Sequence, residues 1–123
     1  MRDIKVGNFI RTNNGHIGEL IRIERDDIDT SLKWYVFNDG KNERYVNKPY
    51  ITNYSKNIID LIEVGDIANK SEVYEIGQSE NGQKWIHTSK GFLYHEEDLE
   101  RVTILTHEQY EQNCYKVSDV RTQ

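Results

Sequence analysis

The sequence predicts a mainly β protein built from two small halves in tandem, residues 1–61 and 62–123, with a short C-terminal helix. Three observations carry that expectation. Short runs rich in β-branched and aromatic residues alternate apolar with polar side chains. Glycine and asparagine punctuate these runs at close intervals, as in small barrels and sandwiches. Finally, Ile4-Lys5-Val6-Gly7-Asn8 returns as Ile62-Glu63-Val64-Gly65-Asp66, and Lys33-Trp34 returns later as Lys84-Trp85.

Taken in order, residues 8–12 form a strand that runs into Asn13-Asn14-Gly15, a turn whose residues tolerate positive φ. Residues 16–24 return as its hairpin partner, with Ile17, Ile21 and Ile23 on one face by simple alternation. A polar loop covers 25–30, a strand 33–38, the turn Asp39-Gly40, and a further strand 43–46. Pro49 ends that strand or sits at a sheet edge, because it has no N–H to donate. Residues 50–57 read as a loop with some extended structure. In the second half, 73–76, 84–88 and 91–95 are short strands with turns at Asn81-Gly82 and Lys90-Gly91, and 99–105 is a last strand. Thr106-His107-Glu108-Gln109 has the form of a capping box and opens a helix that carries Tyr110 and Cys114 four residues apart. The last residues, 118–123, are expected to fray. The strand-hairpin-return pattern of each half predicts an SH3-like barrel; a single meandering sheet shared by both halves is the rival arrangement.

Composition narrows the class. Charged residues are 30% and hydrophobic residues 36% of the 123, so the core is thin. Aromatics at 11%, with eight Tyr and two Trp, argue against a disordered chain. The single cysteine, Cys114, excludes an intramolecular disulfide and a multi-thiolate zinc site, and points to a reducing compartment. The start, MRDIKVGNFI, lacks a signal-peptide core, and no apolar run reaches membrane-span length, so a cytoplasmic protein is expected. Charge is uneven: ten Lys/Arg against nine Asp/Glu in residues 1–62, but six against twelve in 63–123. The second half should therefore repel phosphate backbones.

No reaction chemistry stands out. The four histidines His16, His87, His95 and His107 show no helical metal spacing, and H-E-x-x-H is absent. In His95-Glu96-Glu97-Asp98 an extended backbone would let at most two side chains converge. There is no G-x-S-x-G elbow and no glycine-rich phosphate cradle, and the serines sit in polar, turn-like stretches. The paired carboxylates Asp26-Asp27-Asp29 and Glu96-Glu97-Asp98 fall where exposure is expected, whereas a general acid needs burial. The expectation is no enzyme, no cofactor and no metal.

Two resemblances add context. Residues 5–12 with Asn14-Gly15 resemble the opening of KOW-type and SH3-like modules, which implies RNA or protein binding. The run from Asn57 to Asp66, together with Thr106-His107-Glu108-Gln109-Tyr110-Glu111, resembles small uncharacterised proteins of phages and mobile elements in low-GC Gram-positive bacteria. That resemblance implies a phage-type accessory role. It implies no catalytic residue.

The expected function is binding of a host protein, in concrete form an anti-CRISPR-style inhibitor of a nucleic-acid-handling enzyme. Glu96, Glu97, Asp98 and Glu100 are the candidate docking residues, because a row of carboxylates suits a basic surface that ordinarily meets phosphates. The alternative is a nucleic-acid patch in the first half: Lys5, Arg11, Arg22 and Arg25 for phosphates, with Trp34 and Tyr35 for stacking. A virion structural or assembly protein, with the two halves as packing units, is a third reading.

Overall fold

The computed structural model describes residues 4–113. Cys114 and the residues expected to fray lie outside them. The fold is mainly β, with two five-stranded antiparallel sheets and a few short helices. The first sheet contains β1 (Phe9–Thr12), β2 (Ile17–Arg25), β3 (Lys33–Asn38), β4 (Glu43–Val46) and β5 (Ile51–Ser55), in the spatial order β4-β3-β2-β1-β5. The second contains β6 (Ile67–Ala68), β7 (Ser71–Gln78), β8 (Lys84–Thr88), β9 (Leu93–His95) and β10 (Ile104–Leu105), in the order β10-β6-β7-β8-β9. Three 3-10 turns, Lys48–Tyr50, Ile58–Leu61 and Glu96–Arg101, link strands, and α1 covers His107–Asn113. Both sheets are open at their outer strands, so they are not closed barrels. Nor do they merge into one meander. No helix among the described residues is long and apolar enough to cross a membrane.

The two sheets repeat one register. Gly7 N–H donates to Leu20 O and Leu20 N–H to Asn8 O; Gly65 N–H donates to Val73 O and Val73 N–H to Asp66 O. A bulge follows each anchor, between Leu20 and Arg22 and between Val73 and Glu75. Beyond it Trp34 faces Glu24, and Trp85 faces Gly77. The two Lys-Trp pairs therefore occupy equivalent positions. Their unequal distance from the glycines comes from a longer β1–β2 hairpin and a longer β2–β3 loop in the first half.

Local expectations fail where pairing overrides pattern. Residues 51–55 form β5 because the open side of β1 recruits them, with Phe9 opposite Ser55 and Ile10 opposite Tyr54. Pro49 stands inside the 3-10 turn that delivers them, where its missing N–H costs nothing. Leu99 belongs to a 3-10 turn, so the last strand shrinks to Ile104–Leu105. In β2 the core residue is Leu20, fully buried, while Ile23 is 40% exposed. The bulge resets the alternation on which Ile17, Ile21 and Ile23 had been placed together.

Each sheet has its own small core. One gathers Ile4, Ile10, Leu20, Tyr35, Phe37 and Val46; the other gathers Ile59, Ile62, Ala68, Val73, Ile86 and Leu99. On β1, Ile10 points into the first core, so the next side chain, Arg11, points out of it and toward the second half.

Candidate functional site

Two sites emerge, an open groove on the first half and a buried polar junction between the halves. The groove has a volume of about 520 Å³ and runs between the β1–β2 turn, the edge strand β4 and the first 3-10 turn. Its aromatic lining is Trp34, Tyr45 and Tyr50, the two tyrosines 52% and 53% exposed, together with the buried Phe37. Trp34 and Tyr45 meet edge to face, with ring centroids 6.4 Å apart. The indole Nε1–H of Trp34 donates to Asp26 Oδ2 at 3.0 Å, which fixes the ring and, with the backbone N–H groups of Asp29 and Ile28, holds the Asp26 carboxyl below the ordinary carboxylate range. Asn13, Asn14 and His16 form the opposite wall. The Asn13 and Asn14 side chains make no hydrogen bond within the described residues.

The two arginines beside this groove are already engaged, whereas Lys48, in the 3-10 turn, is exposed. Arg44 pairs with Asp39, and Arg22 pairs with Glu24 and Glu43 and donates to Tyr45 Oη at 3.1 Å. His16 Nδ1 lies 3.1 Å from the Gln109 side-chain amide on α1. Burial, with the nearby Arg44 charge, pushes the His16 imidazole below its usual pKa, so the ring that walls the groove stays neutral near pH 7.

The junction centres on Arg11, whose side chain is fully buried. Its Nη1 donates to Leu61 O at 2.8 Å and to Asp66 Oδ2 at 2.6 Å; its Nη2 donates to Asp66 Oδ1 at 2.9 Å and to Glu108 Oε1 at 2.5 Å. Burial opposes the guanidinium charge, but Asp66 and Glu108 outweigh it and hold the proton more firmly than usual. Asp66 is also fully buried and accepts the backbone N–H of Glu63 at 2.8 Å and of His107 at 2.9 Å. His107 Nε2 lies 2.8 Å from Glu63 Oε1, and this bond raises the imidazole pKa against the opposing effect of burial. Helix α1 thus clasps both halves. Thr106 Oγ1 donates to Gly15 O at 2.8 Å and accepts Gln109 N–H at the helix start. Gly15, with φ of +82°, has no room for a side chain: a Cβ there would sit 2.2 Å from Thr106 Oγ1.

The structure disperses the residues singled out from sequence. In the basic-aromatic set, Arg11 and Tyr35 are buried, so neither reaches a ligand at the surface. Arg25 is exposed and donates to Thr30 O, Lys5 is exposed, and Arg22 is paired. Only Trp34 enters the groove. The acidic run lies in the 3-10 turn Glu96–Arg101, where Glu96 accepts Ile59 N–H at 3.0 Å and Asp98 accepts His95 N–H at 2.9 Å. Those two carboxylates are built into the fold, and Glu97 and Glu100 face solvent.

Sequence reasoning missed Tyr45, Tyr50 and the junction. Tyr45 carried a signal, since alternation along β4 sends it to the face opposite the core residue Val46. Arg11 carried one too, as a charge between Ile10 and Thr12 in a strand with apolar neighbours. Searches against protein-family models, characterised proteins and solved structures found no match to this chain.

Proposed function

We propose that the chain is a non-enzymatic docking protein made of two SH3-like modules, the first of which holds an extended segment of a partner protein in its aromatic groove. The reading of each half as SH3-like is supported by the five-strand meander in which a 3-10 turn precedes the fifth strand and returns it to the first. The single observation that carries the docking role is the open Trp34–Tyr45–Tyr50 surface, faced by uncommitted Asn13 and Asn14 amides. Aromatic faces of this kind suit a peptide with prolyl or aliphatic residues, and amides suit its backbone. The nearby arginines are neutralised by Asp39, Glu24 and Glu43, which supports an uncharged polypeptide over a phosphate backbone. In the phage setting that the sequence resemblance implies, the partner is a host protein, and an anti-CRISPR-type inhibitor of a nucleic-acid-handling enzyme is the concrete form.

The test is a panel of extended peptides of varied proline and aliphatic content, titrated into the labelled protein and followed by amide chemical shifts. Shifts should cluster at the groove, and Tyr50→Ala should weaken binding about tenfold, as for an interface anchor. Shifts confined to the second half, or affinity indifferent to Tyr50→Ala, would refute the assignment.

A further inference from the structure

We infer that Glu63, His107 and Glu108 form a site for one zinc-like divalent cation at the junction between the halves. Each of the three offers one ligand atom, and these atoms lie within 4.8 Å of one another. A carboxylate-histidine-carboxylate set with one further position for water is a donor set that zinc accepts. All three side chains are partly accessible, at 43%, 35% and 21% exposure, so an ion can enter.

A second observation points to the fourth position. Four of the five Arg11 N–H groups are taken by Leu61, Asp66 and Glu108. The fifth, Nε–H, is buried without a hydrogen-bond partner among the described residues, and its nitrogen lies 3.5 Å from Glu63 Oε2, a carboxylate of the cluster. A buried N–H wants an oxygen. The water completing the cation's shell supplies one. Charge argues the same way. Glu63, Asp66 and Glu108 set three carboxylates around one guanidinium. That leaves the carboxylates in excess of the guanidinium, an excess that a dication offsets once His107 gives up the proton it shares with Glu63 and binds through Nε2. Asp66 is not a ligand, because Arg11, Glu63 and His107 already donate to its two oxygens. The site is independent of the groove, though the cation would tighten the α1 clasp that also holds the β1–β2 turn.

The decisive experiment titrates Zn²⁺ into the chelator-stripped, full-length chain by calorimetry, with Mg²⁺ as control and Co²⁺ absorption as a report of ligand geometry. One Zn²⁺ should bind and raise the melting temperature, Mg²⁺ should do neither, and Co²⁺ should give the strong visible bands of a low-coordinate N/O site. His107→Gln and Glu63→Gln should each raise the Zn²⁺ dissociation constant by at least about 100-fold, with metal-free melting close to the parent. Absence of Zn²⁺ binding at millimolar concentration would overturn the site. Binding that survives both substitutions would overturn it too, as would a Mg²⁺ response equal to that of Zn²⁺.

Discussion

The two halves share strand order, bulge position and Lys-Trp placement, yet they treat equivalent positions in opposite ways. In the second half Trp85 lies over Gly77; a Cβ there would meet its ring at 2.0 Å. In the first half the position opposite Trp34 is Glu24, and the indole packs on Tyr45 and is pinned by Asp26. Opposite Ile86, on β9, stands Tyr94, which packs on the second core and reaches Asn69 at 3.5 Å. Opposite Tyr35, the counterpart on β4 is the smaller Val46, which lines the groove. Side-chain choice at these registered positions thus gives the two halves different surfaces at the same place in the fold. A repeated backbone does not entail a repeated function.

The largest expected effect breaks the comparison at its hinge. Arg11→Met leaves Asp66 buried without its counter-charge and should cost about 3–5 kcal/mol, read as a lowered urea midpoint. The double variant Arg11→Met with Asp66→Asn, which removes the buried charge and keeps an acceptor for the Glu63 and His107 N–H groups, should recover part of that loss. If the single variant were as stable as the parent, the ion pair would not be holding the halves together.

A smaller effect sharpens the contrast between the Trp positions. Gly77→Ala forces the Trp85 ring to move and should destabilise by about 1–3 kcal/mol. Glu24→Ala, at the matching place in the first half, should leave the melting temperature nearly unchanged. Equal sensitivity at the two sites would mean that the halves pack their tryptophans alike.

The smallest effect is protonation of the groove wall. His16 has a folded pKa held below the ordinary 6.5. As pH falls through that value the unfolded chain takes up a proton before the native one does, so the His16 contribution is present above pH 6.5 and lost on acidification. The stability difference between parent and His16→Gln, measured across pH 5 to 8, should therefore shift in favour of the variant toward acid. A difference independent of pH would contradict the buried, neutral imidazole.

Much of the secondary structure was legible because it is written locally. Asn14-Gly15, Asp39-Gly40, Asn81-Gly82 and Lys90-Gly91 place glycines of positive φ between alternating runs, and turn chemistry needs only neighbours. Far less of the candidate site was readable. Tyr50 follows a proline in what looks like a loop, and only its delivery by the 3-10 turn places it beside Trp34 and Tyr45. Arg11 looked like a surface cation because strand alternation says that it leaves the first core, and says nothing of what waits on the other side.

The sequence by itself determined a mainly β chain with two registered halves, since turn residues, alternation and the repeated Gly and Lys-Trp positions act over a few residues. Tertiary structure alone decided that the halves are separate open sheets, that Arg11 is buried against Asp66, and that two of the four acidic residues serve the backbone. The physical reason is distance along the chain. Arg11 and Glu108 are 97 residues apart, and the cost of burying a charge is met only by partners that folding brings to it.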